Sequence, residues 1–273
     1  RSTLFPYTTL FRSERCPSGL DASDVAELVC GLRLGGYQFA VVSTTPKPRL
    51  RTIRLVVAEP ERLAELTAAA ERSSALAEAT ALSRDLANMP SNFKDPAWLA
   101  RTAAKVAERV PGLKVAVHDE RWLAEQGFGG VLAVGSGSTR PPRLIELSWQ
   151  PRRSGAHLVL VGKGITFDTG GISLKKAEGM HLMRTDMSGG AAVIAALVAV
   201  ARFGLDIRVT GLVPCAENHM SGSSYRPGDV VRHFGGRTTE VTNTDAEGRM
   251  VLADALAYAT SVQIGRASCR ERV

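Results

Sequence analysis

Residues 157–214 read HLVLVGKGITFDTGGISLKKAEGMHLMRTDMSGGAAVIAALVAVARFGLDIRVTGLVP. The apolar run 157–161 has no polar alternation, as expected of a strand buried on both faces. A glycine-rich loop carrying Lys163, Asp168 and Lys175 follows it. Residues 188–203 are almost wholly apolar and have the length of a helix, and 207–214 return to a strand-like run. Strand, loop, helix and strand in that order predict an α/β domain.

The same alternation extends outward on both sides. Helical spacing covers 97–110 and 120–126, strand-like runs cover 113–118, 130–134 and 143–149, and a last helix spans about 250–260. Asp95-Pro96 reads as a helix N-cap and first helical residue. The expected architecture is a mixed, mostly buried sheet flanked by helices. Before it, a helix from 21 to 34 with Asp21 or Ser23 as N-cap stops at Gly35-Gly36. Strand-like runs follow at 37–43 and 52–58, and an Ala/Leu/Glu/Arg-rich helix covers 61–88.

The expected organisation is therefore a remnant of a smaller N-terminal α/β domain at 16–60, a connecting helix at 61–83 and part of a catalytic domain at 84–263. Residues 1–15 repeat TLF, and residues 264–273 break off an apolar helical pattern with a basic run. Both ends are read as foreign to the fold.

The net charge of +7 is concentrated outside the expected domains. Residues 1–15 and 264–273 each carry three arginines against one glutamate, which leaves the interior with only a small excess. That argues against nucleic acid as a partner. The four cysteines (Cys16, Cys30, Cys215, Cys269) form no CxxC pair, which suits a reducing, cytoplasmic setting. No run of eighteen apolar residues occurs, and no membrane partner is expected.

Three segments carry chemistry. VGKGITFDTGGISLK at 161–175 is neither a Walker loop nor G-x-G-x-x-G, and its glycines bring backbone close to charged groups. MRTDMSGG at 183–190 puts Asp186 just before the apolar helix, where capping is an alternative to a site role. In NTDAEGR at 243–249, an extended chain would turn Asp245, Glu247 and Arg249 to one side. Two carboxylates so close repel unless a cation lies between them; a solvated turn is the alternative.

Together these segments resemble the signature of the leucyl aminopeptidase family, which is built on two metal ions. GLRLGGYQFA at 31–40, RDLANMPSN at 84–92 and the AEN…YRPGD stretch at 216–229 are similar to the family as well. His219-Met220 stands where the family has Met-Pro, and the resemblance stops near residue 262, short of a further strand and an LTGA-like segment.

The resemblance implies two divalent ions, Zn²⁺ or Mn²⁺, with Mg²⁺ as a further fit. Lys163, Asp168, Asp186 and Glu247 would form the tighter site, and Asp168, Asp245 and Glu247 the exchangeable one. Asp168 and Glu247 would bridge. Lys163 would ligate as a neutral amine. Lys175 would polarise the scissile carbonyl, and Arg249 would hold a bicarbonate ion that carries the proton from the attacking water. Met183 would line the pocket for the first side chain, whereas His181 is expected to pack or face solvent. Peptides are the implied substrates, with leucine or another apolar residue at the N-terminus, and the family's assembly is a homohexamer. A metal-binding fragment without turnover is the alternative function, and a nucleic-acid-binding module a more distant one.

Overall fold

A computed structural model describes residues 8–12, 20–41, 52–57, 59–152, 156–261 and 266–270. The chain divides into two compact units, residues 1–81 and 82–273.

In the first unit, strand β1 (Thr8–Arg12) pairs in parallel with β2 (Thr52–Val56). Helix α1 (Ala22–Gly35) starts at Asp21, whose side chain accepts from the Asp24 amide while Asp24 returns the bond. Helix α2 (Leu63–Asn88) runs across the boundary between the units. The strand expected at 37–43 is absent from its described part. Tyr37 N still donates to Leu34 O, so the chain is turning off α1, and residues 37–40 belong to no strand. Residues 42 and 43 lie outside the described residues.

The second unit begins with α3 (Pro96–Ala107), capped by Asp95, followed by β3 (Leu113–His118) and α4 (Glu120–Gln126). Next come α5 (Gly129–Gly135), β4 (Arg143–Trp149), β5 (His157–Gly162) and β6 (Gly164–Asp168). Helix α6 (Ser188–Arg202) leads to β7 (Arg208–Asn218). After the antiparallel pair β8 (Val230–Arg232) and β9 (Thr238–Glu240) come α7 (Glu247–Ser261) and β10 (Arg266–Arg270).

The sheet order is β10-β5-β7-β4-β3, with β6 also paired to β7. β4 is antiparallel to both neighbours, whereas β5, β6 and β10 pair in parallel, so the sheet is mixed. Alternate side chains feed two cores. Ile145, Leu147, Val209 and Val213 pack with Leu99, Ala103, Ile194 and Leu197 on one face. Leu144, Val159, Val161 and Leu212 pack with Leu123, Val131, Val251 and Ala255 on the other. Residues 180–202 have the apolarity and length of a membrane span, but ten residues of α6 lie inside this core.

Three expectations are corrected. Residues 130–134 form helix α5, not a strand. Five apolar residues are too few to separate the two periods, and the helix depends on distant partners. Phe128 offers no side-chain cap; buried Asp254 on α7 accepts from the Val131 amide instead. Residues 164–168, expected in a loop, are a strand paired to β7 with an irregularity between Ile165 and Phe167. Residues 243–249 are not extended, because α7 begins at Glu247. Within the terminal segments, β1 pairs with β2 and β10 with β5.

β5 and α6 meet backbone to backbone. A Cβ on Gly162 would lie 2.4 Å from the Gly189 carbonyl oxygen, and Gly190 N donates to Lys163 O at 2.8 Å. Neither strand nor helix can shift freely inside a packed sheet layer. Gly162→Ala is therefore expected to cost about 2–3 kcal/mol as overpacking, read as a lowered thermal midpoint of the metal-free chain.

Candidate metal centre

The parallel strand ends at one edge of the sheet gather the charged residues. Lys163 follows β5, Asp168 closes β6, and Glu247 opens α7. Asp186 ends the 3-10 turn Met180–Thr185 just before α6. The capping alternative for Asp186 fails, since α6 has no side-chain cap bond.

Lys163 Nζ lies 2.6 Å from Glu247 Oε1 and 3.0 Å from Asp186 Oδ1. Lys175 Nζ lies 2.9 Å from Asp168 Oδ2 and 2.5 Å from Asp245 Oδ1. One oxygen from each of Asp168, Asp245 and Glu247 falls within 4.8 Å of the others. Six of the sequence-selected residues are thus in one cluster.

Electrostatics follow from burial. Asp168 and Glu247 are each 1% exposed. Burial, then the Asp168 charge, pushes the Glu247 carboxyl up to about 7, and burial pushes Asp186 up to about 6. For Lys163, burial alone would lower the pKa, but Glu247 and Asp186 outweigh it and the net direction is up. Lys175 is likewise raised, its desolvation outweighed by Asp245 and Asp168. Without an ion both lysines are ammonium groups, so the expected neutral Lys163 requires a metal to displace its proton.

The residues fit a divalent cation. Four carboxylates face two ammonium groups, leaving a net negative cluster in a buried place. Asp186 Oδ2 and Glu247 Oε2 are buried and have no hydrogen-bond partner among the described residues. A buried carboxylate oxygen without a partner is costly, and hard oxygen donors with one amine suit Zn²⁺, Mn²⁺ or Mg²⁺.

Other selected residues stand apart. Arg249 is exposed on the first turn of α7. Two residues along a helix differ by roughly 200° around its axis, so Glu247 and Arg249 do not share the face that an extended chain would give them. Met183 is half-buried in the 3-10 turn, and His181 is exposed.

The sequence reading missed the frame that holds the loops. Thr244 Oγ1 donates to Gly170 O at 2.6 Å and accepts from Ser173 N at 2.8 Å. Thr244 O accepts from Asn218 Nδ2 at 3.0 Å and from Tyr225 Oη at 2.8 Å. Gly170 and Gly171 have φ of +88° and +64°, and a Cβ on Gly170 would lie 2.4 Å from Ser173 O. This pair is where only glycine fits.

Comparison with known proteins gives the site its context. The catalytic-domain model of the cytosol aminopeptidase family matches residues 81–267. The probable cytosol aminopeptidase of Corynebacterium diphtheriae is 46% identical over 244 residues, covering 88% of this chain and 48% of its own length. That of Syntrophotalea carbinolica is 45% identical over 252 residues, covering 89% and 50%. The chain spans about half the length of these curated relatives. Among solved structures, the cytosol aminopeptidase from Coxiella burnetii superposes with a TM-score of 0.85 at 32% identity, covering 97% of this chain and 54% of that one. The bottromycin maturation enzyme BotP in complex with Mn superposes with a TM-score of 0.82 at 40% identity, covering 91% and 52%. With the catalytic-domain match running through most of its second unit, the chain belongs to the cytosol aminopeptidase family.

Proposed function

We propose that this chain carries the metal centre of an aminopeptidase that releases an N-terminal residue, preferably leucine or another apolar one, from peptides. The observation that carries this reading is the group of buried Asp168, buried Glu247 and half-buried Asp245, with the orphaned Glu247 Oε2 and Asp186 Oδ2 beside it. Support also comes from the Mn-bound relative of the same fold.

Lys163, Asp168, Asp186 and Glu247 would hold one divalent ion, and Asp168, Asp245 and Glu247 a second. When bound, such a pair supplies Lewis acidity and an activated water. Lys175, an ammonium group in the metal-free arrangement, would stabilise negative charge developing on the substrate carbonyl. Exposed Arg249 would hold a bicarbonate ion, and Met183 would line the first side-chain pocket. Cytoplasmic location belongs to the same proposal, as does hexameric assembly for the full-length protein; peptides are the proposed partners, without a membrane, and nucleic acid is the more distant alternative.

The test is hydrolysis of L-leucine amide by the chelator-stripped chain, before and after addition of Mn²⁺ or Zn²⁺. Activity that appears only with metal supports the reading. Metal uptake without turnover would reduce it to a binding centre, and no uptake would overturn it.

A further inference from the structure

Asn218 closes β7 and is fully buried. Its Nδ2 donates to Asp168 Oδ1 at 2.8 Å and to Thr244 O at 3.0 Å. The Gly170 amide donates to the same Asp168 Oδ1 at 2.8 Å. With two donors on Oδ1, Oδ2 is the oxygen left to face the cluster, where Lys175 Nζ stands 2.9 Å away.

The orientation of the Asn218 amide follows from the chemistry of its neighbours. Exchanging its oxygen and nitrogen would set an acceptor against a carboxylate and a carbonyl, which are acceptors only. Asn218 Oδ1 itself is buried with no partner among the described residues. That desolvation penalty is offset by the two bonds from Nδ2. Those bonds join the strand end carrying Asp168 to the turn leading into Asp245 and Glu247, the two segments that supply the clustered carboxylates.

We propose that Asn218 is a positioning residue of the metal centre: by holding Oδ1 of Asp168 it leaves Oδ2 as the metal-facing oxygen, and it ties the Asp168 carboxylate to the Thr244–Asp245 turn. A carboxylate without such a donor rotates about its terminal torsion and presents either oxygen. Groups that hydrogen-bond a metal ligand in this way orient it and raise affinity. The inference rests on the two-ion reading of the site.

The experiment is Mn²⁺ titration of the chelator-stripped chain, followed by the electron paramagnetic resonance signal of bound Mn²⁺. Asn218→Asp keeps the shape but sets an oxygen against Asp168 Oδ1. It is expected to weaken Mn²⁺ binding by about 10–100-fold and to change the bound spectrum, and its buried carboxyl beside Asp168 is also expected to lower the metal-free thermal midpoint. Asn218→Ser removes both donors without adding charge and is expected to weaken binding in the same direction. Tyr225→Phe removes the other donor on Thr244 O, leaves Asp168 held, and is expected to lose only a small part of that affinity.

Wild-type affinity in a folded Asn218 variant overturns the inference. So does a loss in Tyr225→Phe as large as in Asn218→Asp, which would assign the effect to the Thr244 turn. Failure of both Asn218 variants to fold overturns it by making the residue structural. If wild type takes up no Mn²⁺, the two-ion reading falls first and the inference with it.

Discussion

Glu247→Ala is expected to abolish metal-dependent hydrolysis, by roughly 10³-fold or more, the scale of removing a key electrostatic element from a catalytic site. Glu247 is one of the two most buried carboxylates in the cluster. Its Oε1 faces Lys163 at 2.6 Å, its Oε2 has no partner among the described residues, and it falls within the same 4.8 Å group as Asp168 and Asp245. Glu247 and Asp168 are the two residues of the proposed ligand set whose truncation takes a donor from both halves of the site.

The fold should survive the change. Lys163 keeps Asp186 at 3.0 Å, and the lost group is a buried carboxyl already pushed up to about 7 by desolvation and by Asp168. The expected signature is therefore lost turnover and weakened Mn²⁺ uptake, with a metal-free thermal midpoint close to wild type. Full turnover in a Glu247→Ala chain loaded with Mn²⁺ would sink the assignment of Glu247 as a shared ligand. Unfolding of the variant would show instead that its contact with Lys163 holds the structure together.

How much of this was legible depended on where each residue finds its partners. Residues 113–118, 120–126 and 143–149 were read with the observed limits because their signals are local. Asp119, for example, caps α4 through the Trp122 amide three residues on. Helix α5 was misread because its N-terminal amide is satisfied by Asp254, over a hundred positions away. β6 was misread because glycine and charge look like a loop until β7 supplies the ladder.

At the site, residue type singled out the three charged segments, and the resemblance to the aminopeptidase family picked the lysines and carboxylates within them. Asn218, Thr244 and Tyr225 did not, since their polar groups act on segments distant in sequence. The extended reading of 243–249 failed for a related reason. Buried Met250, Val251 and Ala255 draw that chain into α7 against the sheet, and the helix starts early enough to include Glu247.

Lys94 shows the same blindness most sharply, and its replacement should have the largest effect on stability. In the sequence it is one lysine in SNFKDP, yet its side chain is fully buried. Nζ donates to the carbonyls of Leu86 and Ala87 at 2.9 Å each, to Arg184 O at 2.6 Å, and to Met187 Sδ at 3.2 Å. The first two carbonyls belong to the last turn of α2, where no intrahelical donor remains. The third lies in the 3-10 turn that delivers Asp186. A single ammonium group thus satisfies two helical ends, with its charge on the favourable side of both dipoles.

Lys94→Met keeps the length and the packing but leaves one buried carbonyl, that of Leu86, and two part-buried ones, those of Ala87 and Arg184, without this donor. It is expected to destabilise the metal-free chain by roughly 3–5 kcal/mol, since each orphaned acceptor costs on the order of 1–3 kcal/mol.

The pH dependence separates this from a simple packing loss. Burial, reinforced by Arg184, lowers Lys94 from an ordinary 10.5 to about 7. Between those values the folded chain binds fewer protons at this site than the unfolded chain. Wild-type stability should therefore rise with pH through the window, by up to about 1.4 kcal/mol per unit. Below pH 7 both states are protonated and this contribution to the slope disappears. Lys94→Met has no such group, so denaturant titrations at pH 7 and pH 9 should show the gap to wild type widening at the higher pH. A gap that stays constant would mean that Lys94 remains charged throughout, held by its carbonyl cage despite burial. A variant as stable as wild type would show that water or backbone shifts satisfy the three carbonyls without it.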